Sequence, residues 1–189
     1  WAELKVAAPT DVPYGRASLL AVAVAASGAP LFALGRYRAI SNSLESDYAY
    51  LVRSDDGGAS WSREWTGPDE GPMGSLAGRH GPDVTSALAV LAGGAVALGG
   101  VDGSVLISSD AGRTFVARPT PAKTTILGLW AAPGGALYGV GSHGAVVVST
   151  DRGETFRAAD SRVASDLFAV TGCGGHVWIV GARGAVLRQ

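Results

Sequence analysis

An all-β fold of repeated four-stranded antiparallel sheets is predicted for this 189-residue chain, on three observations. An eight-residue frame, Ser-x-Asp-x-Gly-x-Ser/Thr-aromatic, recurs as SDDGGASW (Ser54–Trp61), SSDAGRTF (Ser108–Phe115) and STDRGETF (Ser149–Phe156). Its aspartates lie 54 and 41 residues apart, and a period near forty marks a repeat architecture. Short apolar runs separated by Gly-rich turns surround each frame, and the 28 glycines are about twice the usual share. No segment long enough for a helix carries a 3.6-residue apolar period.

The elements follow in order. Trp1–Val6 opens with an aromatic, as do the stretches after Trp61, Phe115 and Phe156, and Ala8-Pro9-Thr10 follows it much as Arg118-Pro119-Thr120 follows the second frame. Residues 1–8 are therefore read as an outer strand displaced from its own unit. The first full unit, 17–66, begins LLAVAVAASGAPLFALGR and reaches its frame only after an insertion, Tyr37–Asp47, which is read as a loop. A second insertion, Thr66–Asp83 (TGPDEGPMGSLAGRHGPD), is rich in Gly and Pro without strand alternation and also reads as a loop. Units 84–119 and 125–159 each show an apolar run, a Gly turn, a second run, another Gly turn, a third run entering the frame, and a fourth after the aromatic. That pattern is four antiparallel strands of about five to seven residues with turn chemistry between them. The last unit, 166–189 (DLFAVTGCGGHVWIVGARGAVLRQ), holds three strands, with Gly184 forty residues after Gly144.

Four-stranded sheets repeating at about forty residues are the signature of a β-propeller, whose blades pack face to face around an axis. Small residues at Ala21, Ala23, Ala89 and Gly128 suit innermost strands, where blades crowd. Pairing residues 1–8 with the last three strands would hide an edge that otherwise invites association. Closure within one chain gives four blades. The alternatives are two chains exchanging terminal strands to form an eight-bladed ring, a homodimer, and an open arc of a larger propeller.

The frame resembles the Asp-box, or BNR repeat, of bacterial sialidases, sortilin-type receptors, xyloglucan-cleaving glycosidases and the photosystem II assembly/stability factor family. Three copies in register are specific for the fold and hardly specific for function. The local chemistry is structural. Asp56, Asp110 and Asp151 are placed to accept backbone N–H bonds within a turn, with Ser54, Ser108 and Ser149 adding hydroxyl bonds. Gly58, Gly112 and Gly153 supply a backbone angle that a Cβ disfavours, and Trp61, Phe115 and Phe156 tuck beneath as apolar anchors. One carboxylate per turn is far from a calcium site.

With first strands running downward, the boxes lie at the bottom of the blades and both insertions at the top. Surplus loops on a rigid scaffold are where binding usually resides. The expected recognition face carries Arg36, Tyr37, Arg38, Glu45, Asp47 and Tyr48 from one insertion, and Asp69, Glu70, Arg79, His80 and Asp83 from the other. His143 and Asp102 join it from equivalent turns. The expected partner is a protein or a glycan.

Other classes find little support. A net charge of −1 provides no basic field for nucleic acid, and the longest apolar run, Leu19–Ala26, is too short for a membrane span of about 18 residues. Cys173 is alone, which excludes an intrachain disulfide and a Cys-based zinc cluster. His80, His143 and His176 lie in different units, so no metal or other cofactor is expected. Gly139–Gly144 matches GxGxxG in letters only, since it links two strands. Tyr37-Arg38-Ala39-Ile40 lacks the Ile-Pro order of the sialidase motif. The expected function is non-catalytic binding. The alternative is a glycosidase-like propeller with Asp47 and Asp83 as its carboxylate pair. The chain opens at Trp1 with neither Met nor a signal-peptide pattern and is read as a piece of a longer product, with an exported or cell-surface setting favoured.

Overall fold

The computed structural model describes residues 16–25, 28–41, 44–66 and 84–189. The chain divides into two compact units, Trp1–Gly81 and Pro82–Gln189. Every strand pairing within both is antiparallel.

The first unit holds one sheet, β1 (Arg16–Val24), β2 (Leu31–Ser41), β3 (Leu44–Ser54) and β4 (Ser62–Thr66), ordered β1-β2-β3-β4. The insertion Tyr37–Asp47 is not a loop. Both flanking strands run on through it to 11 residues each, with Tyr37 opposite Tyr48, Arg38 opposite Asp47 and Ile40 opposite Glu45. The first strand lengthens with them, pairing Arg16 with Arg38. No Gly or Pro in the stretch stops the pairing, and Tyr37, Ile40 and Tyr48 are residues that strands favour.

The second unit holds three sheets. The first is β5 (Val84–Val90), β6 (Val96–Gly100), β7 (Val105–Ser108) and β8 (Val116–Arg118). The next is β9 (Ile126–Ala131), β10 (Leu137–Gly141), β11 (Val146–Ser149) and β12 (Arg157–Ala158). The last has three strands, β13 (Leu167–Cys173), β14 (His176–Gly181) and β15 (Val186–Arg188). The strands thus span 2 to 11 residues rather than a uniform five to seven. The fourth strand read into residues 1–8 lies outside the described residues.

Sheets stack face to face in this unit. Ala89, Ala97, Val105 and Ile107 of the β5–β8 sheet share one core with Ile126, Leu137, Val147 and Phe156 of the next, with Leu129 and Ala131 packed against it. A second core joins Val140 and Val146, with Trp130 and Tyr138, to Leu167, Val170, Val177, Ile179 and Leu187 of the last sheet. Innermost strands come closest: a Cβ on Gly128 would lie 2.7 Å from the Phe168 carbonyl oxygen, so the small residue there is a spacing requirement. Thr85 closes the neighbouring seam by donating its hydroxyl to the Ile126 carbonyl at 2.7 Å.

Candidate functional site

The three repeated frames form three closely similar turns. Ser54 Oγ, Ser108 Oγ and Ser149 Oγ each donate to the carboxylate two residues on at 2.7 Å, and each accepts the N–H of Gly58, Gly112 or Gly153 at 2.8 Å. Ser60, Thr114 and Thr155 complete the turn, their hydroxyls donating to the far oxygens of Asp56, Asp110 and Asp151 and their backbone N–H groups to the near ones. At the turn itself two residues in succession are left-handed, Gly57-Gly58, Ala111-Gly112 and Arg152-Gly153. The sequence pattern singled out only the second of each pair. Of the anchors, Phe156 is buried in the core, whereas Trp61 and Phe115 are half-buried, and Trp61 Nε1 donates to the Gly58 carbonyl at 3.0 Å.

These donors decide what the carboxylates can do. The Ser60 hydroxyl, then its backbone N–H and the Ser54 hydroxyl, lower Asp56 to about 2. The Thr114 and Thr155 hydroxyls, followed by their N–H groups, hold Asp110 and Asp151 well below the usual carboxylate range. A group ionised this firmly has no proton to give near neutral pH, which removes all three as general acids. Because the folded pKa lies below the unfolded one, the stabilisation is full above about pH 4 and is lost as pH falls through the folded value. Urea midpoints are therefore expected to fall between about pH 4 and pH 2, and the Asp56→Asn, Asp110→Asn, Asp151→Asn triple variant to lose most of that slope while starting from a lower midpoint at pH 7. An unchanged slope in the variant would mean that other carboxylates carry the acid response.

The opposite ends of the second unit's sheets are built differently. In its first two sheets the second-to-third strand turn is tied to the link that follows: Thr120 Oγ1 donates to the Gly103 carbonyl at 2.6 Å, and Ser161 Oγ to the Gly144 carbonyl at 2.7 Å. His143 sits in the left-handed region of its turn (φ 57°), and its N–H donates to Asp166 Oδ1 at 2.9 Å, leaving the ring exposed. A concavity of about 490 Å³ opens there, lined by His143, Thr124, Asp160 and Ser161 and by apolar residues such as Val146 and Val163. His143 is the expected site residue it contains. Asp102 lies in the equivalent turn of the neighbouring sheet, where its carboxylate accepts the Ser104 N–H and hydroxyl at 2.9 and 2.6 Å.

The remaining expected residues are not gathered into this concavity. Arg36, Tyr37, Arg38, Asp47 and Tyr48 are strand residues of the extended β2–β3 ribbon. Arg79, His80 and Asp83 lie outside the described residues, as do Asp69 and Glu70. Sequence reasoning missed Asp160 and Ser161, whose link has no strand pattern, and Arg183, which repeats the left-handed backbone of His143 in the last sheet (φ 58°). The forty-residue offset that matches Gly184 to Gly144 was the available signal for Arg183. Among the described residues no three His, Cys, Asp or Glu side chains group in a way that could hold a metal.

No protein-family model and no curated protein matches this chain. Solved structures do. A protein of unknown function from Dyadobacter fermentans superimposes with a TM-score of 0.57 at 15% identity over 85% of this chain. The GH74 xyloglucanase from Xanthomonas campestris gives 0.60 at 16% over 90% of the chain, and YCF48 bound to D1 peptide gives 0.50 at 12% over 99%. The fold is of the β-propeller class. The sheets are its blades, and identities this low speak for the fold alone. The chain spans 56% of the Dyadobacter protein, 29% of the xyloglucanase and 71% of YCF48.

Proposed function

We propose that the chain is a non-catalytic binding propeller that presents the blade ends opposite the Ser-x-Asp-x-Gly turns to a protein or glycan partner. One contrast carries the reading. At the turn ends the serine, the aspartate and the following serine or threonine of each frame are consumed by their own loop, as in an Asp-box, whereas at the other end the exposed His143 ring borders a concavity of mixed polar and apolar lining. Polar groups already engaged locally offer a partner little, and an exposed imidazole on a braced rim offers more. YCF48, similar in fold, is bound to a peptide in its structure, which supports a protein partner.

The test is partner affinity. Alanine at His143, and at Arg36 with Arg38, is expected to weaken binding at least about tenfold, as central contacts do, while Arg113→Ala at a turn end leaves it unchanged. Unaltered affinity in the His143 and Arg36/Arg38 variants would overturn the proposal. The glycosidase alternative, with Asp47 and Asp83, has the xyloglucanase fold likeness behind it. Turnover of aryl glycosides or xyloglucan, lost in Asp47→Asn or Asp83→Asn, would install it instead.

A further inference from the structure

Two apolar faces, one on the last sheet of the second unit and one on β1 of the first, match the two halves of an interface that the second unit builds twice within itself. Register makes the equivalence explicit. Ala97, Tyr138 and Trp178 occupy one position, paired with Ala89, Trp130 and Thr171, and Val105, Val146 and Val186 occupy another. In the first two sheets of the second unit this face is covered by the following sheet, and Ala97, Val105 and Val146 are buried. In the last sheet Trp178, Val180 and Val186 are exposed, Val186 by 64%.

The complementary half lies in the first unit. Ile126, Leu129 and Ala131 are the residues with which the β9 sheet meets its predecessor, and Leu167 and Val170 repeat the first two in the last sheet. Their equivalents by pairing are Leu19, Val22 and Val24, opposite Gly35, Ala33 and Leu31 as Ile126, Leu129 and Ala131 are opposite Gly141, Gly139 and Leu137. Ile126 and Leu167 are fully buried, whereas Leu19, Val22 and Val24 are exposed, Val22 by 68%. Even the irregularity recurs, with a register shift between Leu19 and Ala21 as between Leu167 and Ala169.

Contiguous apolar faces of this kind mark association surfaces. We propose that the Trp178–Val180–Val186 face of one chain receives the Leu19–Val22–Val24 face of a second copy, and reciprocally, so that two chains close one ring. The occupant follows from continuity: the surface that covers this face at the two internal seams is one that the chain itself repeats and leaves open. A head-to-tail contact of two different faces closes only if the rotation per chain permits, and otherwise grows into a filament. The Arg188 guanidinium lies over the Trp178 ring, 5.3 Å from its centroid, and must slide aside to the rim as the face is covered.

Sedimentation of the intact chain across a dilution series reads the proposal. The expected species has twice the 19.0 kDa chain mass. Association should move tryptophan emission to shorter wavelength as Trp178 leaves water, and Trp178→Phe should abolish that shift without changing the mass. Val22→Asp and Val186→Asp, each at an exposed position, are expected to raise the dissociation concentration at least about tenfold. Val116→Asp, at a comparably exposed valine on an outer strand, should leave it unchanged. A 19.0 kDa particle at all concentrations would overturn the proposal, as would open-ended polymers, and the emission shift of the native chain tests it even where a variant fails to fold.

Discussion

Phe156→Ala is expected to lower the unfolding free energy of the chain by about 3 kcal/mol, the loss typical of a buried phenylalanine whose cavity only partly collapses. Phe156 is 9% exposed and belongs to the core shared by the first two sheets of its unit, with Ile107, Leu137 and Val147. The same truncation at Phe115 or Trp61 should cost visibly less, because both rings are half-buried. Trp61→Ala additionally removes the indole N–H that the Gly58 carbonyl accepts, a hydrogen bond of about 1 kcal/mol. Urea unfolding of the three variants at one pH ranks them. Equal losses would show that the turn, and not the core beneath it, sets the worth of each aromatic.

Gly144→Ala should be about as damaging, again near 3 kcal/mol, by two additive causes. Its φ of +73° lies in the left-handed region, where a Cβ costs about 1–2 kcal/mol. That Cβ would also stand 1.8 Å from the Val163 carbonyl oxygen, a backbone atom that cannot step aside, so the link must move at an overpacking cost of about 1–3 kcal/mol. Gly184 is the control. It has the same backbone angle, +74°, with nothing near its missing Cβ, so Gly184→Ala should carry only the conformational part. Comparable losses at both positions would remove the steric argument.

The repeat made most of the sheet order legible. The turns could be read residue by residue because their hydrogen bonds are local: a serine, an aspartate and a glycine within five residues contain the whole loop. The candidate site was read less well. Tyr37–Asp47 looked like surplus chain because it interrupts a forty-residue spacing, yet spacing says nothing of whether extra residues loop or pair. The absence of Gly and Pro among them is the better guide, and β2 and β3 lengthen through them. His143 was placed at the non-box end by counting turns. Asp160 and Ser161 were invisible to that count, since a link between sheets acquires its position from the Ser161–Gly144 contact across 17 residues.

By itself, then, the sequence determined the period, the strand pairing within each sheet and the self-contained turns, all of which depend on neighbours close along the chain. Tertiary structure decided what identical motif positions are worth. It buried Phe156 and left Phe115 half-exposed, crowded Gly144 and left Gly184 open, and covered Ile126 while exposing Leu19. The physical reason is that a repeat writes the same residue into each sheet, whereas burial depends on which surface stands opposite it.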